Sequence, residues 1–157
     1  MVSLNKIIQA KITIGHFVNK TPFAFSARLS GVTGADIYLK EENLQRTGAY
    51  KIRGAYNKIA NLTSDQRKMG VVAASAGNHA QGVAISAREF GVRAVIVMPE
   101  STPLLKVSGT KDLGAEVILK GDNFDEAYEF AVTYAKEQGM NFIHPFNDEF
   151  VMAGHRT

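Results

Sequence analysis

No cysteine and no tryptophan occur among the 157 residues. The absence of cysteine excludes disulfide scaffolds, Cys-ligated zinc and thiol catalysis, and it is compatible with a reducing compartment. An excess of one charge is also lacking. Eighteen Lys and Arg against 15 Asp and Glu leave a formal charge of +3, too small for a strong field, so a nucleic-acid partner is not indicated. Long apolar runs are missing as well. A bilayer span needs about 20 apolar residues, and the runs here are short, as at Ala94 to Pro99. Asn5, Lys6, Gln9 and Lys11 interrupt the N-terminal stretch, so no signal-peptide core is read and a cytoplasmic location is expected, with no membrane partner. What is present is ordinary for a globular chain. Apolar residues make up 45% and charged residues 21%, enough apolar surface to offset chain entropy. The length fits one domain, or a small domain plus part of another.

The N-terminal part reads irregularly. Leu4, Ile7, Ile8 and Ile12 predict one face of a short amphipathic helix over Ser3 to Ile14. Thr21-Pro22 is expected to be extended, Gly31 to Gly34 to form turns, Ile37 to Leu39 a strand, and Glu41 to Ala49 a loop. Tyr50 to Ile59 has helical content, and Thr63 with Gln66 predicts a capping box for the next helix. From Gly70 a regular alternation begins. Strands are predicted at Val71 to Ala74, Ala94 to Met98, Glu116 to Leu119 and Phe142-Ile143. Helices are predicted at Ala80 to Phe90, from Pro103 to about Gly114, and from Asp122 or Asn123 to Gly139. Four strands alternating with three helices through short connections predict an α/β fold: a wound, parallel four-stranded sheet with flanking helices. Ligands of such sheets bind outside the carboxyl ends of the strands. Ser75 to Gly82 follows one of those ends.

Two segments hold candidate chemistry. Lys51 stands where the Gly48 loop gives way to a helix. A desolvated lysine there could form a Schiff base. Taken alone it reads equally as a solvated lysine, or as part of a basic patch with Arg46, Arg53 and Lys58. The second segment, Ser75-Ala76-Gly77-Asn78-His79, joins a strand end to a helix start, where free backbone N–H groups attract carboxylate or phosphate. The alternative is a capped helix and a satisfied loop histidine. No Walker A, G-x-G-x-x-G or G-x-S-x-G pattern occurs. The four histidines, His16, His79, His144 and His155, lack metal-ligand spacing, so no metal is expected.

The segment KEENLQRTGAYKIRGA (residues 40–55), followed by SAGNHAQGVA (75–84), resembles the fold type II pyridoxal-phosphate enzymes. Within them it is most similar to threonine dehydratases (threonine ammonia-lyases), with serine racemases and serine dehydratases as relatives. VIVMPESTPLLKV (95–107) and LGAEVILKGDNFDEAYEFA (113–131) follow the same pattern, so the resemblance runs from about Ala10 to Gly154. It implies pyridoxal 5'-phosphate as cofactor and a lyase of amino-acid metabolism, with isoleucine biosynthesis among its settings. Lys51 matches the lysine that holds the cofactor as a Schiff base and moves the substrate's α-proton. Asn78 matches the residue that hydrogen-bonds the cofactor's ring hydroxyl. Ser75, Ala76, Gly77, Asn78 and His79 match the loop that receives the substrate carboxylate. The implied reaction is β-elimination of L-threonine to 2-oxobutanoate and ammonia, and of L-serine to pyruvate. Serine racemases resemble SSGNH here, and their second Ser is an acid/base group. Ala76 cannot transfer a proton, so elimination is favoured over racemisation.

The resemblance also sets expectations about extent. Members of the family are longer, and the cofactor lies between two domains. Residues 1–60 then correspond to the beginning of a large cofactor-binding domain, 61–150 to a small α/β domain and 151–157 to a return to the large one. A chain of this extent is expected to bind the cofactor weakly, to be inactive alone and to self-associate. His155 and Arg156 stand where relatives have Gln-Gly, and Arg156 is expected at a helix start. A non-catalytic α/β module binding an anion or a partner chain is the second reading.

Overall fold

A computed structural model describes all 157 residues. Its first helix, α1 (Leu4–Ile14), starts where Ser3 Oγ accepts the Lys6 N–H, as an N-cap should. The buried face differs from the expected one. Ala10 and Ile14 point inward, whereas Leu4 and Ile12 are 69% and 67% exposed. The period was legible, but the side that finds a partner depends on tertiary packing. Next come β1 (Phe23–Phe25), α2 (Ala27–Thr33) and β2 (Tyr38–Lys40). The two strands pair antiparallel, Phe25 opposite Tyr38. The turn expected at Gly31 to Gly34 is instead the last part of α2, and only Gly34 takes the left-handed conformation, φ 71°, that ends it.

α3 (Lys51–Ala60) and α4 (Ser64–Met69) follow. At α4 the predicted capping box is formed: the Gln66 N–H donates to Thr63 Oγ1, and the Thr63 N–H to Gln66 Oε1. The wound region is then β3 (Val71–Ala74), α5 (Asn78–Glu89), β4 (Ala94–Met98), α6 (Leu104–Asp112), β5 (Glu116–Leu119), α7 (Phe124–Glu137) and β6 (Asn141–Phe142). β3, β4 and β5 match their predicted limits. β6 lies one residue earlier than expected, and α5 begins two residues earlier. Pro103 stands just before α6 rather than as its first residue. A last helix, α8 (Glu149–His155), was not anticipated. Asp148 caps it by accepting from Phe150 and Val151. Arg156 therefore ends a helix, exposed, instead of starting one.

The sheet order is β5-β4-β3-β6, all parallel. Every residue of β3 and β4 is buried, because both faces are covered. Side chains alternate between the faces. Val72, Ala74, Val95 and Val97 meet Ala127, Ala131 and Ala135 of α7. Val71, Ala73, Ile96 and Met98 share the other core with Ala80, Val83 and Ala84 of α5, Ala55 and Ile59 of α3 and Val151 of α8. Each fully buried Val, Ile or Met contributes about 1.5–3 kcal/mol. α3 thus joins the core that lies below the carboxyl ends of β3 and β6. No helix is long and apolar enough to cross a membrane.

Candidate active site

Lys51 is the first residue of α3, and its placement follows from how closely α3 lies on α5. Gly82 of α5 sits against the α3 backbone. A Cβ there would stand 3.1 Å from the Ile52 nitrogen and 3.2 Å from the Lys51 carbonyl carbon. α8 presses the opposite way through Gly154, where a Cβ would lie 2.8 Å from Gly54 Cα and would overlap the Arg53 carbonyl oxygen. Held from two sides, α3 directs the half-buried Lys51 side chain toward the turn after β6. There Lys51 Nζ donates to the Pro145 carbonyl at 2.7 Å. The same amine lies 5.4 Å from the Tyr50 ring centre.

Ser75 to His79 form the β3–α5 junction. The Ser75 N–H closes the sheet on the Val97 carbonyl, and Ser75 Oγ accepts the Gly77 N–H at 3.2 Å. Gly77 is the residue before α5, and Asn78 and His79 form its first turn. Ala76 packs partly against the core. The N–H groups of Asn78, His79 and Ala80 have no acceptor within the chain, as the first turn of a helix dictates. They make the carboxyl end of β3 a place for an anion. Asn78 is exposed and keeps its amide free for a ligand. His79 does the reverse. It is buried, and its Nε2 pairs with the Ile143 carbonyl at 2.9 Å. Burial lowers its pKa to about 4, with the Lys51 charge adding in that direction. The ring is therefore neutral, and Nε2 is the donor. Nδ1 is buried without a partner.

Two further histidines complete the surroundings of Lys51. His155 of α8 lies over Gly54 and meets Tyr50 edge-on at 5.0 Å. Burial brings it to a pKa of about 4, again with Lys51 acting in the same sense. His144 is lowered by burial and by Lys51 against the opposing charge of Asp148. Three of the four histidines thus gather near one amine as neutral rings. The sequence signal, four histidines of no metal spacing, pointed away from this. No group of three His, Cys, Asp or Glu side chains is placed to hold a metal ion. Only the pairing of β6 beside β3 brings Ile143, His144 and Pro145 to the site. His16 is elsewhere, hydrogen-bonded to the Tyr56 hydroxyl.

The alternative basic patch does not form. Arg53 is buried and donates from Nε and Nη2 to the two Glu42 oxygens at 2.8 Å each. That guanidinium holds the Glu42 carboxyl below its usual range. Lys58 pairs with Asp148 at 2.7 Å, and Arg46 lies over the Phe17 ring. Two cavities, of about 250 and 360 Å³, lie against α1. Neither is lined by Lys51 or by residues 75–79. The candidate site is an open notch where the N-termini of α3 and α5 meet the 144–147 turn.

A family model described as "Pyridoxal-phosphate dependent enzyme" matches residues 14–157. Over all 157 residues the chain is 57% identical to the L-threonine ammonia-lyase of Thermotoga maritima, covering 39% of that protein. It is 51% identical to a catabolic L-threonine dehydratase of Staphylococcus aureus, again over the whole chain and covering 46% of that relative. Among solved structures, maize serine racemase superposes with a TM-score of 0.91 at 33% identity, over 98% of this chain and 46% of the racemase. The chain thus spans less than half the length of these three relatives.

Proposed function

Because the chain belongs to the pyridoxal-phosphate-dependent enzyme family, we propose that it carries the lysine and the carboxylate-binding loop of an L-threonine ammonia-lyase, with L-serine as a second substrate. The observation that carries this reading is the amine of Lys51 held at the carboxyl end of the sheet, beside a helix start with free N–H groups.

The residues present fit the cofactor's demands on this part of a site. Lys51 offers a fixed, half-buried amine, and exposed Asn78 offers an amide toward a ring hydroxyl. When bound, the cofactor supplies an electron sink for the bond being broken at the substrate's α-carbon. The residues of this chain bind the substrate and move its α-proton, while the β-hydroxyl takes up a proton and leaves as water, which the released imine consumes on hydrolysis. The N–H groups at the start of α5 take the substrate carboxylate, and the helix dipole favours that charge. Ser75 Oγ fixes the loop by accepting from Gly77. Lys51, once free of the Pro145 carbonyl, removes the α-proton as a base. Buried, neutral His79 ties α5 to the end of β6, so that the two walls of the notch keep one spacing. Ala76 brings no proton to the opposite side, which favours elimination over the racemisation performed by the maize relative. Products are 2-oxobutanoate from threonine, or pyruvate from serine, with ammonia.

We assign residues 1–60 to a large cofactor-binding domain, 61–150 to a small α/β domain and 151–157 to the return, working in the cytoplasm as a homo-oligomer. Isoleucine biosynthesis rests on the resemblance alone, whereas the staphylococcal relative is named catabolic. The test is reductive trapping with pyridoxal phosphate and borohydride, followed by peptide mapping. Label concentrated on Lys51 over all other lysines, and lost in Lys51→Ala with the fold retained, supports the reading. Label spread evenly over surface lysines overturns it.

A further inference from the structure

The turn after β6 is held by a side chain that the proposed reaction does not use. The N–H groups of Phe146 and Asn147 both donate to His144 Nδ1, at 3.2 and 2.8 Å. One acceptor that takes the second and third N–H groups ahead of it is the pattern by which Asn and Asp close turns. Here an imidazole does so. Nδ1 accepts only through its lone pair, so the ring is neutral and its proton sits on Nε2. The residue inside the turn is Pro145, which has no N–H to satisfy, and its carbonyl is the acceptor for Lys51. Three aromatic rings fix the plane of the imidazole. Phe146 stands edge-on at 4.7 Å, Tyr128 at 5.9 Å and Phe142 at 6.2 Å.

We propose that His144 is a positioning residue, whose neutral Nδ1 clamps the 144–147 turn so that the Pro145 carbonyl holds the Lys51 amine in the notch. This rests on the reading of Lys51 as the cofactor-bearing lysine. The ionisable groups that act on His144 from neighbouring elements are Lys51 of α3, His79 of α5, Tyr128 of α7 and Asp148 at the head of α8. Of these, only the Asp148 charge draws a proton onto the ring. A proton on Nδ1 would replace an acceptor with a donor that faces two N–H groups. The turn would open, and Lys51 would lose its fixed partner.

The experiment compares the full chain with His144→Asn and His144→Phe. Asn places Oδ1 close to where Nδ1 stands, whereas Phe keeps the ring and removes the acceptor. Two quantities are read: hydrogen-exchange protection of the Phe146 and Asn147 amides, and the rate of pyridoxal-phosphate trapping on Lys51. With Phe, protection of Asn147 is expected to fall at least tenfold and trapping several-fold, and Asn restores both. Protection of the turn amides in the unsubstituted chain falls on acidification more steeply than the global stability does, and in His144→Asn only the global loss remains. Unchanged protection and trapping in His144→Phe would overturn the clamp. So would His144→Asn behaving like the Phe variant while its circular dichroism stays native. If His144→Phe fails to fold, the His144→Asn comparison with pH decides. Normal protection changes without any trapping on Lys51 in the unsubstituted chain would keep the clamp and sink the reading of Lys51.

Discussion

A buried neutral imidazole ties the fold to pH. His79 takes up a proton near pH 6.5 in the unfolded chain but only near 4 in the folded one. Between those values the unfolded state binds more protons, so acid favours unfolding. Stability is complete above about pH 6.5, declines as pH falls through the window and levels off below about 4. A shift of this size corresponds to ~3 kcal/mol at its full extent. His155 acts in the same direction. We expect the urea midpoint to hold from pH 7.5 to about 6.5 and then to drop toward pH 4.5, and His79→Gln to flatten that slope. A midpoint that stays constant between pH 6.5 and 4.5 would contradict the buried, neutral placement of the ring. The Glu42–Arg53 ion pair acts in the same sense, at lower pH. The Glu42 carboxyl, held low by Arg53, adds stability that persists at neutral pH and is lost only in stronger acid.

At the scale of elements, the site depends on how near α3 comes to its neighbours. Gly82 lets α5 touch the α3 backbone at Lys51 and Ile52, and Gly154 lets α8 do so at Arg53 and Gly54. Neither helix can withdraw freely, since both are anchored in the core below the sheet. Gly82→Ala must push two backbones apart by a few tenths of an ångström. It is expected to cost about 1–3 kcal/mol, and Gly154→Ala, with its closer contacts, at least as much. Both should also displace the start of α3. Thermal denaturation measures the first effect, and the rate of Lys51 trapping in the folded fraction measures the second. A Gly82→Ala chain with unchanged melting temperature would mean that the helices are not this close.

At the scale of the whole molecule, apolar surface is distributed unevenly. The central strands of the wound sheet are covered on both faces, whereas the β1–β2 pair exposes Phe23, Phe25 and Tyr38 together on one face, and α1 exposes Leu4, Ile8 and Ile12. A two-stranded hairpin contributes little stability by itself, and contiguous apolar surface of this kind marks a contact face. We predict concentration-dependent association between about 5 and 100 µM in sedimentation velocity, weakened by Phe23→Lys with Tyr38→Lys. A single monomeric boundary at every concentration would show that these side chains need no partner.

Local physical rules explain how much was legible in the sequence. Val71 to Ala74, Ala94 to Met98 and Glu116 to Leu119 were readable as strands, because β-branched runs between turn residues leave few alternatives. The Thr63–Gln66 capping box depends only on residues three apart, and it formed as read. Lys51 and the Ser75–His79 junction were singled out by the family resemblance, since residue type and a local helix start by themselves left a solvated lysine and a capped helix as equal readings. The inward face of α1, the end of α2 and the existence of α8 were not legible, because each depends on what packs against it. The same holds for the site's third wall. Ile143, His144, Pro145 and His155 are 92 to 104 positions from Lys51 in the sequence, and nothing local to them marks a partner. Only the parallel pairing of β6 with β3, and the seat of α8 on α3, bring the Pro145 carbonyl and the histidine rings to that amine and the Ile143 carbonyl to His79. Short-range preferences are written residue by residue, whereas which distant segments meet is decided by burying apolar faces across the whole chain.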